Sequence, residues 1–243
     1  GRGLTRAVAV VGRGLFTADR YLPLDYWLAD QRTATGEQRT LRLADGTLIN
    51  LNTHSAVDVR FDEKQRRVIL QEGEILVETA HGDARPFIVE TREGSMRALG
   101  TRFLVKREAE GTRLSVLQSA VAAHPESSPQ EQILREGQQV LIRNDSLGPV
   151  AALGLGADAW TRGMLVVDNA RLGDLVHELG RYRRGHLGVT PEVADLRITG
   201  SFPLKDTNLA LNALLPTLPV QIEQHTSWWV TVAAKTEAKR NPL

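Results

Sequence analysis

The sequence predicts an all-β N-terminal domain, either a sandwich or a curled antiparallel sheet, followed by a small α+β domain of order βαββαββ. Three observations carry this. Short runs alternate between apolar and polar residues with a period of two from Thr33 to Arg143. A Gly/Pro-rich break follows, NDSLGPVAALGLGAD at 144–158. After it the apolar spacing switches to the helical period. A length of 243 residues suits two modest domains.

In the first half, Thr40–Leu43 and Thr47–Leu51 flank Ala44-Asp45-Gly46, a hairpin turn signal. Val57, Val59 and Phe61 alternate with Asp58 and Arg60, giving one dry face and one wet face. The pattern continues through Arg67–Leu70, Ile75–Glu78, Phe87–Glu90, Arg102–Val105, Leu114–Leu117 and Gln139–Ile142. Gly73, Gly82, Gly94, Gly111 and Gly137 punctuate it.

Residues 144–158 read as a linker. Gly154-Leu155-Gly156 lacks the further glycine or Gly-Lys-Ser/Thr that a phosphate loop needs. Beyond it, Met164–Val167 is a short strand. Asp168-Asn169 is the expected N-cap of a helix whose Leu172, Leu175, Val176, Leu179 and Tyr182 share one face, with Gly185 as its stop. Leu187–Val189 and Leu196–Thr199 are strands. Asp206/Thr207 caps a second helix carrying Leu211, Leu214 and Leu215, which Pro216 ends. Val220–Glu223 and Trp228–Val232 close the domain as a hairpin over His225-Thr226-Ser227.

Composition excludes several function classes. Thirty basic against 29 acidic residues leave a net charge of +1, without the cationic surplus of a nucleic-acid binder. Cysteine is absent, so disulfides, thiolate metal sites and thiol catalysis are ruled out. His54, His81, His124, His177, His186 and His225 are scattered without metal-ligand spacing, and no GxSxG elbow occurs. Asp62-Glu63 reads as a solvated turn. Residues 1–30 read as a degenerate membrane-proximal leader. Ala7–Val11 is apolar, but Arg6, Arg13, Asp19 and Arg20 interrupt the roughly 20 apolar residues a span needs, while Tyr21, Tyr26 and Trp27 suit a membrane interface.

The run Gly36-Glu37, Leu43-Ala44-Asp45-Gly46-Thr47 and Leu51-Asn52, continued by Arg67–Leu70 and Gly73-Glu74, resembles the FecR family. The spaced pair Arg85-Pro86-Phe87-Ile88-Val89 and Leu99-Gly100-Thr101-Arg102-Phe103-Leu104-Val105 strengthens the likeness. The second half, through Leu172…Leu175, Arg181-Tyr182 and Gly200-Ser201-Phe202 to Leu215, resembles the secretin/TonB short N-terminal fold. On this resemblance residues 31–143 form a FecR-like domain, 144–158 a linker, 159–234 a receptor-docking domain and 235–243 a tail. It implies a periplasmic regulator anchored in the inner membrane by a segment at or before the N-terminus, and it implies no cofactor. The implied partners are the N-terminal signalling domain of a TonB-dependent, siderophore-importing receptor, an extracytoplasmic-function sigma factor held by a cytoplasmic region upstream, and a periplasmic protease. A structural or adhesive β-module with a secretin-like assembly domain is the alternative.

The resemblance also singles out Gly100–Thr101, since some family members cleave themselves at the matching bond. A threonine hydroxyl attacks the preceding carbonyl, and water splits the resulting ester. Without the resemblance, Gly100 marks a bulge and Thr101 a strand position. For partner binding, Arg181, Arg183 and Arg184 cluster beside Tyr182 at a helix end, where positive charge also suits the dipole. Trp228 and Trp229 are consecutive in the closing strand, so alternation sends one to the core. The other is left either to cover the helix layer or to serve as an interface anchor, with the closing strand as a docking edge.

Overall fold

The computed structural model describes Tyr26 and residues 29–237. The apolar run Ala7–Val11, together with Tyr21, Trp27 and the tail beyond residue 237, lies outside the described residues. Among the described residues no helix is long and apolar enough to cross a membrane.

The N-terminal domain is a sandwich. Its strands begin with β1 (Gln31–Arg32), β2 (Arg39–Arg42), β3 (Leu48–Leu51), β4 (Ala56–Phe61) and β5 (Arg66–Glu72). Next come β6 (Glu74–Glu78), β7 (Phe87–Thr91), β8 (Gly94–Ala98), β9 (Arg102–Glu108) and β10 (Gly111–Gln118). The series ends with β11 (Ala120–Pro125), β12 (Gln132–Arg135), β13 (Gln138–Ile142) and β14 (Ala151–Ala152). One seven-stranded sheet runs β1-β4-β5-β7-β8-β11-β12, and the other β14-β13-β10-β9-β6-β3-β2. Pairing is antiparallel except between β5 and β7. The intervening β6 belongs to the opposite sheet, so β7 returns alongside β5 in the same direction. Inward residues of both sheets, including Ile49, Leu51, Val68, Phe87, Phe103, Val105 and Leu114, fill one core. Each contributes about 1.5–3 kcal/mol by burial.

Gly73 makes the corner at which the chain leaves β5 for β6. Its φ is +85°, and a Cβ there would sit 2.6 Å from the Ser55 Cα, so this position tolerates only glycine. The stretch read as a linker is tied to the sandwich. Ala151–Ala152 extends the second sheet beside β13, and Leu153 N–H bonds the Gly137 carbonyl at 2.9 Å.

The C-terminal domain holds β15 (Met164–Arg171), α1 (Leu172–Gly180), β16 (His186–Val189), α2 (Pro191–Ala194), β17 (Arg197–Pro203), α3 (Thr207–Asn212), β18 (Val220–Thr226) and β19 (Trp229–Ala234). It is the expected α+β order with one added helical turn, α2, which Pro191 opens at its first position. β15 pairs with β17, and β16 runs parallel to β19, which pairs with β18. Leu172, Leu175, Val176 and Leu179 bury the face the spacing predicts.

Three local expectations are corrected. Asp168-Asn169 does not cap α1, because β15 continues past it. A bulge with Asn169 at φ 48° carries the strand on to Arg171, and the Leu196 carbonyl takes the Leu172 N–H at 2.7 Å. α1 ends at Gly180 and not at Gly185, since the chain turns there to dock Arg181 and Tyr182. α3 ends at Asn212, ahead of Pro216. Its Asp206 cap is as expected, accepting the Leu209 N–H.

Candidate functional site

The second sheet is covered on both faces. Alternation along β6 and β9 sends Ile75, Val77, Phe103 and Val105 into the sandwich, while Leu76 and Leu104 join Trp160, Leu175, Leu179 and Phe202 in the core of the other domain. This is why β6 reads Glu-Ile-Leu-Val without a polar outer row.

Around this apolar contact runs a polar seam. The Asn52 amide donates to the Tyr182 hydroxyl at 2.6 Å and to Glu74 Oε1 at 3.0 Å, and its oxygen accepts from Gln38 at 2.9 Å. Arg181 bridges Glu74 at 3.1 Å and Glu178 at 3.0 Å, and Lys106 binds the other Glu178 oxygen at 2.7 Å. Thr53 donates to the Arg181 carbonyl at 2.9 Å. Burial pushes the Tyr182 hydroxyl pKa up. Burial alone would raise Glu178, but Lys106 and Arg181 outweigh it and hold the carboxyl below its usual value.

The arginine cluster therefore divides. Arg181 and Tyr182 face the other domain, so the expectation that they meet a partner is corrected: the turn after α1 drives them into the seam. Arg183 is half-buried and bonds Asn208, and Arg184 is exposed. The tryptophans are corrected too. Trp228 lies in the turn before β19, so both are exposed, at 58% and 52%, and Val230 fills the core place. The Trp229 ring packs on His186 with centroids 4.3 Å apart. Gly185 makes room for this edge. A Cβ there would lie 2.8 Å from the Trp228 Cα, and His186 N–H bonds the Trp228 carbonyl at 2.6 Å.

Gly100 and Thr101 sit where the chain crosses from β8 to β9, from one sheet to the other. Gly100 has φ +76°, with open space where a Cβ would be. Thr101 is buried and clasped by Thr79. Its N–H donates to Thr79 Oγ1 at 2.9 Å, and its carbonyl accepts the Thr79 N–H at 3.0 Å and hydroxyl at 3.1 Å. The Thr101 hydroxyl is buried without a hydrogen-bond partner. A cavity of about 300 Å³ opens beside Gly100, lined by residues that include His81, Arg85 and Arg97. Among the described residues no group of three or more His, Asp or Glu is placed to hold a metal.

The Asp45-Gly46-Thr47 turn supports this corner. Asp45 accepts from Thr47 N–H at 2.9 Å, Thr47 Oγ1 at 2.8 Å and Arg66 at 2.7 Å, and Thr47 Oγ1 takes the Ala80 N–H at 3.0 Å. Burial works to raise the Asp45 carboxyl, and these bonds lower it overall.

Residues 29–122 match the family model described as FecR protein. This stretch is thus similar to a FecR domain. It takes in most of the sandwich, including the Asn52 turn, Thr79 and the Gly100–Thr101 bond. No curated protein matches the chain by sequence. The whole fold is similar to a crystal structure of a candidate anti-sigma factor from Parabacteroides distasonis, with TM-score 0.70 and 23% identity, covering 85% of this chain and 98% of that one. A second structure so described, from the same organism, aligns with TM-score 0.69 and 24% identity over 84% of this chain and 96% of that one. The fold, sandwich and C-terminal domain together, thus occurs elsewhere.

Asn52, Glu74, Thr79 and Glu178 were not singled out by the sequence. Asn52 and Glu74 stand inside the Leu51-Asn52 and Gly73-Glu74 pairs that carry the family likeness, which was their only signal.

Proposed function

We propose that the chain is the signal-receiving part of a FecR-type anti-sigma regulator in the periplasm, held at the inner membrane. It couples the signalling domain of a TonB-dependent siderophore receptor to an extracytoplasmic-function sigma factor, with a periplasmic protease completing the release. The observation that carries this reading is the FecR domain locked to a second domain in the arrangement of the candidate anti-sigma factors. The exposed Trp228 and Trp229 on the β18–β19 turn supply a docking surface, since paired aromatics at a sheet end are strong interface anchors. A pull-down of the full chain with the receptor's signalling domain tests it. Capture by wild type and loss with Trp228→Ala/Trp229→Ala is the expected result; equal capture by both refutes the docking surface.

The reading includes self-cleavage at Gly100–Thr101. It is supported by the left-handed Gly100 and by a buried Thr101 hydroxyl that is committed to no other bond. Wild type is expected to separate into two fragments on incubation, while Thr101→Ala stays whole.

A further inference from the structure

We infer that Thr79 is a catalytic residue of the Gly100–Thr101 scission, shuttling the proton that allows the Thr101 nitrogen to leave. The inference rests on the self-cleavage proposed above and adds a second residue to it. In the scission the Thr101 Oγ1–Gly100 carbon bond forms and the Gly100 carbon–Thr101 nitrogen bond breaks. One hydrogen must pass from Thr101 Oγ1 to Thr101 N. A peptide nitrogen leaves poorly until it is protonated, so some group within hydrogen-bond reach has to deliver that hydrogen.

Thr79 Oγ1 is placed to do so. It lies 2.9 Å from the scissile nitrogen, and the same hydroxyl and the Thr79 N–H grip the Thr101 carbonyl. Thr79 is 6% and Thr101 4% exposed, so bulk water reaches neither freely. The step needs the Thr101 hydroxyl, unbonded at rest, to turn within reach of Thr79 Oγ1 as it attacks. The Thr79 hydroxyl hydrogen then leaves the Thr101 carbonyl for the nitrogen, and Thr79 Oγ1 takes the hydrogen of Thr101 Oγ1. Thr79 ends unchanged, and no cofactor or external base is consumed. Water then adds to the ester, freeing the Gly100 carboxylate and restoring the Thr101 hydroxyl beside a new amino terminus.

Two features make this arrangement economical. The Thr101 hydroxyl breaks no hydrogen bond in turning toward its task. Thr79 is also held in place from its far side, because its neighbour Ala80 is bonded to Thr47, which Asp45 and the Arg66 ion pair fix in turn. Preset distances of this kind are what an intramolecular acyl shift needs.

The experiment follows fragment appearance by mass spectrometry in the full chain, comparing wild type, Thr79→Val, Thr79→Ser and His81→Gln after checking that each melts cooperatively. Thr79→Val is expected to cleave about a hundredfold more slowly, the size of a general acid–base contribution. Thr79→Ser and His81→Gln should stay within a few-fold of wild type. Hydroxylamine, which splits esters, should accelerate the wild type and leave Thr79→Val nearly unaffected, because slow ester formation then limits its rate. A solvent deuterium effect on the wild-type rate is also expected, and it keeps the test open if Thr79→Val fails to fold. Cleavage of Thr79→Val at the wild-type rate, or a wild-type rate indifferent to deuterium, overturns the shuttle and leaves self-cleavage standing. A wild-type chain that never cleaves overturns both.

Discussion

The side-chain amide of Asn52 and the hydroxyl of Tyr182 meet at 2.6 Å across 130 residues of sequence. That contact places the β3–β4 turn of the sandwich at the centre of the molecule's joints. Thr53 binds the Arg181 carbonyl and Gly36 N–H, and the Asn52 carbonyl accepts the Thr33 hydroxyl at 2.6 Å. His54, at φ 47°, stacks on Tyr26 with ring centroids 4.2 Å apart. One short turn therefore touches the C-terminal domain on one side and Tyr26, the first described residue of the leader, on the other.

Tyr182→Phe tests the weight of this bond. The ring still fills its place, while Asn52 keeps Glu74 as an acceptor, so the loss is expected to be about 1 kcal/mol. Asn52→Ala should cost more, about 2–3 kcal/mol, because it strands the buried Tyr182 hydroxyl and removes an acceptor from Gln38. Urea denaturation of the two variants checks the order.

Arg181→Met removes the cation between Glu74 and Glu178 and leaves two carboxylates facing one another. A loss of about 3 kcal/mol at neutral pH is expected. The same group sets an acid limit on wild type. Glu178 is lowered in the fold from 4.5, so its contribution is fully present above that pH and is lost as pH falls through the lower folded value. Denaturation midpoints measured from pH 7 to pH 3 should fall more steeply for wild type than for Glu178→Gln.

How far the sequence could be read follows from what each signal encodes. Alternation in β3, β5 and β7 reports one buried face, and those strands appear where expected. The Glu-Ile-Leu-Val run of β6 carries a second message, that a layer covers its outer face, but the run does not name the layer. Arg181 and Tyr182 show the same gap. A basic helix end looks solvated until a facing Glu74, 107 residues away, is brought against it. The tryptophans were misplaced by one residue of turn. Moving the hairpin tip to Ser227–Trp228 shifts the core position to Val230. At Gly100–Thr101 the residues were legible and the clasp by Thr79 was not, because the two segments lie 22 residues apart and meet only through sheet pairing.

Two glycines with similar backbone angles should respond differently to alanine. Gly73 at φ +85° would drive its Cβ into Ser55, and neither backbone can yield without opening the corner between the sheets. Gly73→Ala is expected to cost more than about 3 kcal/mol or to prevent folding. Gly100 at φ +76° has open space around it, so Gly100→Ala should cost only the left-handed conformational penalty, about 1–2 kcal/mol. Thermal melts of the two proteins measure the difference.

Trp228 and Trp229 supply the opposite contrast, between residues that hold the fold and residues that do not. Each is more than half exposed, and the Trp229 ring touches the exposed His186 and not the core. Trp228→Ala and Trp229→Ala are expected to change stability by no more than about 0.5 kcal/mol, as for ordinary surface sites. The adjacent Val230 is 3% exposed and packs in the domain core, so Val230→Ala should cost about 2 kcal/mol. If the order were reversed, the tryptophans would be holding the hairpin together, and their exposure would not mark a docking surface. Chemical denaturation of the three variants decides between a fold role and an interface role for the pair.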